Sequence, residues 1–359
     1  MRLPPRIPVI AILALAPSAL AAQGAGHAGL ITGVEYRSLS YGTGSSVSSV
    51  NEIAVPLGIS MPLGSRVNFD VGTYFVRAER KAIDSTSTIS GLTDLVLRSA
   101  FQIKPDAAIF TLAVNVPTGK HQLNNQQNLL AGNVATDLIP FPVSNFGSGF
   151  SVTSGLALAK PIGPWAMGLA GSFRYSGSYQ PFTAPNDTSM LKPGGEVRFR
   201  LGADRIVGQG RMSLGFTYST FSNDEYAGVQ HSPGTRIIPQ ASWNFPVGRN
   251  SLALYAWDVY RSADSSAVSA KVNANTVSGG ALFAVPMGRN SLRPQIEFRQ
   301  SSGDVNTKGT LIGFGLRYAI VGARMTLTPG LRYDIASGVG SSNVSLTGFN
   351  ASLTINSSL

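Results

Sequence analysis

Apolar and polar residues alternate one by one along most of this chain. From Arg324 to Ile335, Met325, Leu327, Pro329, Leu331, Tyr333 and Ile335 take one set of positions, and Arg324, Thr326, Thr328, Gly330, Arg332 and Asp334 take the other. A period of two belongs to a strand with one apolar and one polar face. Glu196 to Asp204 repeats it, with Val197, Phe199, Leu201 and Ala203 on the apolar side, and Arg211 to Ser219 does so with Met212, Leu214, Phe216 and Tyr218. Further segments of this kind start at Arg66, Leu95, Ala107, Phe150, Trp165, Arg236, Leu292 and Leu311. After the N-terminal segment no stretch shows the 3.6-residue period of a helix, so the chain reads as all-β.

The connections fall into two kinds. Short ones share a Pro-x-Gly phrase: Met61-Pro62-Leu63-Gly64-Ser65, Lys160-Pro161-Ile162-Gly163-Pro164, Phe245-Pro246-Val247-Gly248-Arg249-Asn250 and Val285-Pro286-Met287-Gly288-Arg289-Asn290. Proline presets one turn dihedral and glycine supplies the positive one. Lys104-Pro105-Asp106 and Val321-Gly322 add two more. Between them lie longer segments rich in Ser, Asn, Thr and Asp, at about 40–48, 79–90, 118–147, 178–192, 223–234, 262–272, 302–308 and 336–343. Short turns at one end and long loops at the other are the asymmetry of an antiparallel transmembrane β-barrel. The segments between breaks predict 16 strands, with 14 as the alternative, and both termini on the short-turn side.

Composition supports a membrane barrel over a soluble β-sandwich. Of the 359 residues 43% are apolar and only 13% charged, about half the charged fraction of a soluble domain. The polar faces carry Ser, Thr, Gly, Asn and a few Arg, which suits a lumen wall. Trp165, Tyr175, Trp243, Phe245, Tyr255, Trp257, Tyr318 and Tyr333 gather near segment ends, where interfacial girdles are expected. At the N-terminus, Arg2 and Arg6 precede an apolar run from Ile7 to Ala16, then Pro17, Ser18 and Ala19-Leu20-Ala21. That pattern predicts a secretory signal peptide over 1–21, with 22–359 as the barrel domain. No later window is apolar enough for a membrane helix. The reading places the chain in the outer membrane of a Gram-negative-type bacterium, with lipid and the barrel-assembly machinery as partners. Leu353, Ile355 and Leu359 carry the C-terminal alternation in place of the usual terminal aromatic.

A 16-strand barrel is wide enough for an aqueous channel, so passage of small-molecule solutes is the default function. The inferred inward faces present Arg66, Asp70, Arg98, Arg174, Arg198, Arg200, Arg293, Glu297, Arg299, Arg317, Arg324 and Arg332 as pore-lining candidates. Arg37, Arg211 and Arg236 join them, as do the acids Glu35, Glu52, Asp94, Glu196, Asp204, Asp258 and Asp334. Arginine outnumbers acid there, which predicts a weak preference for anions. Loop 118–147 is the longest and has apolar anchors, Leu123, Leu129, Leu130, Leu138, Ile139, Phe141, Val143 and Phe146. Such a loop packs on something. Folding into the mouth would make it a constriction, with Lys120, His121, Asn124, Asn125, Gln126 and Gln127 as candidate lining residues; an outward lid is the alternative.

Other chemistry is thin. Cysteine is absent, which excludes disulfides, thiolate metal sites and Cys nucleophiles. No His or carboxylate spacing indicates a metal site, no motif calls for a cofactor, and the scattered arginines lack the basic patch of a nucleic-acid binder. His231 near Asp224, Glu225 and Ser232 is the one grouping that suggests a hydrolase, on a loop with nothing to fix its geometry. A structural or adhesive barrel with a plugged lumen is the other alternative. Monomer and trimer both stay open.

Gly91-Leu92-Thr93-Asp94-Leu95, then Lys104-Pro105, then Val114-Asn115-Val116-Pro117-Thr118-Gly119-Lys120 resembles the core of the outer-membrane family tied to meta-pathway phenol degradation. More distantly it resembles the fatty-acid and aromatic-hydrocarbon channels of outer membranes. The resemblance implies uptake of small organic molecules, apolar or aromatic ones among them. It transfers no pocket residue, because the shared positions are turns and strand starts.

Overall fold

The computed structural model describes residues 28–183, 188–262, 273–303, 308–339 and 344–359. The segment read as a signal peptide lies outside the described residues. The strands are β1 (Gly29–Tyr41), β2 (Val47–Leu63), β3 (Val67–Ala82), β4 (Thr86–Leu92), β5 (Leu95–Lys104), β6 (Ala108–Val116), β7 (Ser151–Ile162), β8 (Trp165–Ser176), β9 (Leu191–Lys192) and β10 (Glu196–Val207). They continue with β11 (Gly210–Phe221), β12 (Asp224–Tyr226), β13 (Val229–His231), β14 (Thr235–Val247), β15 (Asn250–Arg261), β16 (Ala274–Met287), β17 (Asn290–Gly303), β18 (Gly309–Val321), β19 (Met325–Val339) and β20 (Val344–Ser358).

Each long strand pairs antiparallel with the next, and β1 pairs with β20 from Gly29 opposite Ser358 to Tyr41 opposite Leu346. That seam closes the sheet, so no edge is left with unpaired backbone groups in lipid. β4 and β5 both pair with β3, one after the other along its length. They are two halves of one strand interrupted at Thr93-Asp94. Counted so, the barrel has 16 strands. β9, β12 and β13 form a separate small sheet in the long loops.

Outward positions are apolar and open to the surroundings: Phe75, Leu169, Phe199, Leu201, Phe314 and Leu331 are each about half exposed, as a lipid-facing band requires. Trp165, Trp243, Phe245 and Tyr318 lie outward near the short turns. Arg205 stacks over Trp165, with its guanidinium carbon 5.5 Å from the ring centre. In the tight turns Gly248 and Gly288 have φ of 62° and 65°, the positive dihedral that the Pro-x-Gly phrase anticipates. Two expected loops are shorter than the sequence suggests. β3 runs on to Ala82 and β4 starts at Thr86, so 79–90 is mostly strand, and β19 runs on to Val339.

Parity corrects three placements. Trp257 lies opposite Gln240 and Ser278, and Tyr255 opposite Ser242 and Gly280. These are inward positions, so both rings face the lumen and not a girdle. Asp258 is thereby turned to the outer face beside Val277. Arg66 and Arg324 fall in the short turns before β3 and β19, at the rim of the barrel.

A candidate pore and the loop folded into it

The loop between β6 and β7 enters the barrel and contains a helix, α1 (Asn125–Val134), that no periodicity announces. Asn124 caps it: its side chain accepts from the Gln127 amide at 2.9 Å, and the Gln127 side chain accepts from the Asn124 amide in return. Only Leu130 and Val134 of the helix are buried, too few to give a readable apolar stripe. They pack with Val143 and Phe146 against Val50, Ala54, Val76, Ala78 and Ile89 of β2, β3 and β4. Farther on, Leu138 and Ile139 pack against Leu39, Leu311, Ala336 and Leu346 of β1, β18, β19 and β20. Where the loop covers it, the inner wall presents these apolar residues together with the buried Arg37, Glu52 and Arg80, and the apolar contacts hold the loop by the same burial that builds a soluble core.

Its ends are tied to the break between β4 and β5. The extra residue at Thr93-Asp94 shifts parity and turns Asp94 inward. The Asp94 carboxylate accepts from the Gly119 amide at 3.0 Å, the Ser148 amide at 2.8 Å, the Ser148 hydroxyl at 3.2 Å and the Asn115 side chain at 2.7 Å. The Thr118 hydroxyl donates to the Thr93 carbonyl at 2.9 Å. One carboxylate thus clamps entry and exit of the loop, and it joins the two halves of the Gly-x-x-Asp-Leu and Pro-Thr-Gly phrases. Gly119 admits no side chain, because a Cβ there would meet the Phe146 carbonyl and Asp94.

Loop residues expected at a constriction take several positions. Lys120 donates its amide to Phe146 at 3.0 Å, and His121 meets Tyr179 edge to face at 5.8 Å. The Gln127 side chain donates to the Thr88 carbonyl at 3.0 Å, and Gln126 accepts from Ser85 at 3.3 Å. Asn124 is the cap and Asn125 begins the helix. These polar residues fasten the loop to the rim, while its apolar second half reaches inward. Residues 178–183 lie against the start of the loop, with the Leu123 amide donating to the Pro181 carbonyl and the Thr183 amide donating to the Leu123 carbonyl. His231 is also less free than its loop suggests: β12 and β13 set it opposite Asp224, whose carboxylate accepts from the Gly194 amide at 2.6 Å.

Below the loop the wall carries a charge relay across strands. Arg37 reaches Asp334 at 2.7 Å, and Arg332 reaches Asp334 at 2.7 Å and Glu297 at 2.5 Å. Arg299 reaches Glu297 at 2.7 Å and donates to the Asp137 carbonyl at 2.9 Å, while Arg261 pairs with the Asp137 carboxylate at 2.7 Å. Arg37 also lies over Phe141, 5.7 Å from the ring centre. Arg332 with Asp334 and Arg299 with Glu297 are neighbours on one face of their own strands, but the sequence does not reveal the links from Arg37 to Asp334 and from Arg261 and Arg299 to Asp137, which join segments far apart in the chain. Arg293 and Arg317 sit directly opposite one another on β17 and β18.

A second group surrounds Glu196, which takes Arg174 at 3.4 Å, Arg198 at 2.6 Å and Arg236 at 3.1 Å. Arg200 faces the same space, and Arg98 stands opposite Asp70 on the neighbouring sector. The loop leaves this side open. Inward-facing Val96 is 42% exposed and the Arg174 side chain 39%, against 0% for Val50 and Leu39 under the loop.

Fold and site together define a 16-stranded transmembrane barrel with one loop folded inside and an arginine-rich open side. No family model matches the chain, and no curated protein matches it in sequence. Among solved structures it is similar to an anion-selective porin from Comamonas acidovorans, at 13% identity over 92% of this chain and 98% of that one, with a TM-score of 0.45. A monoaromatic hydrocarbon channel matches at 12% identity over 93% and 88%, with a TM-score of 0.46. An outer-membrane channel from Pseudomonas putida F1 matches at 13% identity over 92% and 96%, with a TM-score of 0.40.

Proposed function

We propose that the chain is an outer-membrane channel through which small solutes diffuse passively, down the side of the barrel that the folded loop leaves uncovered. One observation carries this reading: inward Val96 and Arg98 of β5 are exposed and the inward residues of β6 and of β7 are partly so, while Leu39, Val50, Ala54, Val76, Ala78, Leu311, Ala336 and Leu346 are buried in the clusters that the loop forms with the opposite wall. The barrel is thus narrowed from one side, and its remaining wall is lined with arginines that water can solvate. An excess of guanidinium over carboxylate on that wall supports a weak anion preference. The resemblance around Asp94 and Gly119 supports small organic molecules, apolar or aromatic ones included, as the solutes. Purified protein in a planar lipid bilayer tests the reading. Stable ohmic steps in potassium chloride are expected. A barrel that inserts and never conducts would instead be plugged, with a structural or adhesive role.

A further inference from the structure

In a strand a side chain stands roughly perpendicular to the sheet, so a long inward residue of a barrel points at the axis and takes width from the lumen. Four long inward residues below the folded loop do otherwise. Gln240 of β14 is paired across the sheet with Gly215 of β11, Tyr255 of β15 with Gly280 of β16, Gln295 of β17 with Gly315 of β18, and Arg317 of β18 with Gly330 of β19. Each of the four lies over its glycine. A Cβ added at Gly215 would be 2.5 Å from Gln240 Nε2 and 2.7 Å from its Cγ, and one at Gly315 would be 2.5 Å from Gln295 Nε2 and 2.6 Å from its Cγ. At Gly280 a Cβ would meet the phenol end of Tyr255, and at Gly330 it would be 3.1 Å from Arg317 Cγ. These side chains therefore run along the wall, through the space that a neighbour's side chain would otherwise fill.

The pairs share one depth. Gly215, Gly280, Gly315 and Gly330 stand five to seven residues from the short-turn ends of their strands. That makes one belt from β11 to β19, nearer the short turns than Leu311 and Ala336, where the loop packs. Among the described residues neither the Gln240 nor the Gln295 amide has a hydrogen-bond partner, so the missing Cβ opposite is what lets them lie flat. The wall across the lumen is low as well, since β5 to β8 present Ala100, Ala113, Ala157 and Ala170 on their inward faces.

We infer that these four glycines set the calibre of the channel. By letting Gln240, Tyr255, Gln295 and Arg317 lie along the wall, they keep the lumen wider than side chains of that length allow, and so fix the largest solute that passes. The inference rests on the channel reading and adds the residues that decide its size selectivity. A side chain laid across a strand glycine also steadies a sheet, but that role alone would leave conductance untouched.

The test is single-channel recording on the full chain in planar bilayers, in potassium chloride with neutral polyethylene glycols of increasing size. Gly215→Ala and Gly315→Ala suit it, because neither glycine has a positive φ and the nearest atoms to each new methyl belong to the flexible Gln240 and Gln295 side chains. With a methyl in its place on the wall, each glutamine must stand up into the lumen. The double variant Gly215→Ala/Gly315→Ala should lower conductance by up to about twofold, and should exclude glycols that enter the unmodified barrel. Adding Gln240→Ala and Gln295→Ala should restore conductance to the original value or above, a rescue that a folding defect would not show. Gly279→Ala, on the lipid-facing side of β16 beside Ala256, should change nothing. Unchanged conductance in the double glycine variant, or a loss that removing the glutamines does not rescue, overturns the calibre role and leaves the channel standing. Absence of any ion current in the unmodified protein overturns both.

Discussion

At Asp334 one carboxylate, itself wholly inaccessible, holds the buried Arg37 and shares the partly buried Arg332 with Glu297. Removing a partner from a buried ion pair leaves an uncompensated charge, at a cost of about 3–5 kcal/mol. Asp334→Ala should therefore lower the temperature at which the barrel loses its heat-modifiable migration on a denaturing gel, and Asp334→Asn, which keeps hydrogen-bond acceptance, should lower it less. Gly33 offers a second single-residue test. It lies on β1 at the closing seam, and a Cβ there would strike the Leu353 carbonyl oxygen. Gly33→Ala should reduce the yield of folded barrel, read by the same gel. Neither role is legible in the sequence, where Asp334 is one polar position among many and Gly33 one of 40 glycines. The parity of Tyr255, Trp257 and Asp258 was hidden for another reason. Leu252, Leu254 and Ala256 alternate with Ala253, Tyr255 and Trp257, so both faces of β15 are apolar and alternation cannot say which one points to lipid.

Among elements, the strands were the most legible and the helix the least. Sixteen strands follow from alternation and turn chemistry because each strand obeys local rules. Helix α1 exists because the Asn124–Gln127 cap and the surrounding wall stabilise ten residues that would be marginal alone. The apolar anchors of 118–147 did signal that the loop packs, and it packs inside the barrel, but the sequence could not locate the clamp. Deleting 122–140 should raise single-channel conductance, and an unchanged conductance would discard the constriction. Asp94→Ala should act in the same direction by freeing both ends of the loop, and should also open it to protease in intact cells. The Glu52 carboxylate, which accepts from the Val143 amide at 2.8 Å, remains as a second tether, so the effect of Asp94→Ala should be smaller than that of the deletion.

For the whole molecule, the low charge content is explained by where charge is placed. Lipid takes the apolar half of each strand, and the arginines line the inner wall in relays with Asp137, Glu196, Glu297 and Asp334. In a potassium chloride gradient the reversal potential should take the sign of anion preference and shrink at high salt as screening shortens the reach of these charges; clear cation selectivity would contradict the arginine-lined route.

The seam of β1 with β20 also sets an order of events. Every other wall contact joins neighbours in the chain, but Ile31 must meet Asn356. Bringing such distant segments together costs about 4 kcal/mol more chain entropy than closing a hairpin, and the pairing exists only after the last strand has been made. The cylinder should therefore form as an open, curling sheet first and become a ring last. Cysteines placed across the seam should cross-link later in a refolding time course than a pair placed across β14 and β15.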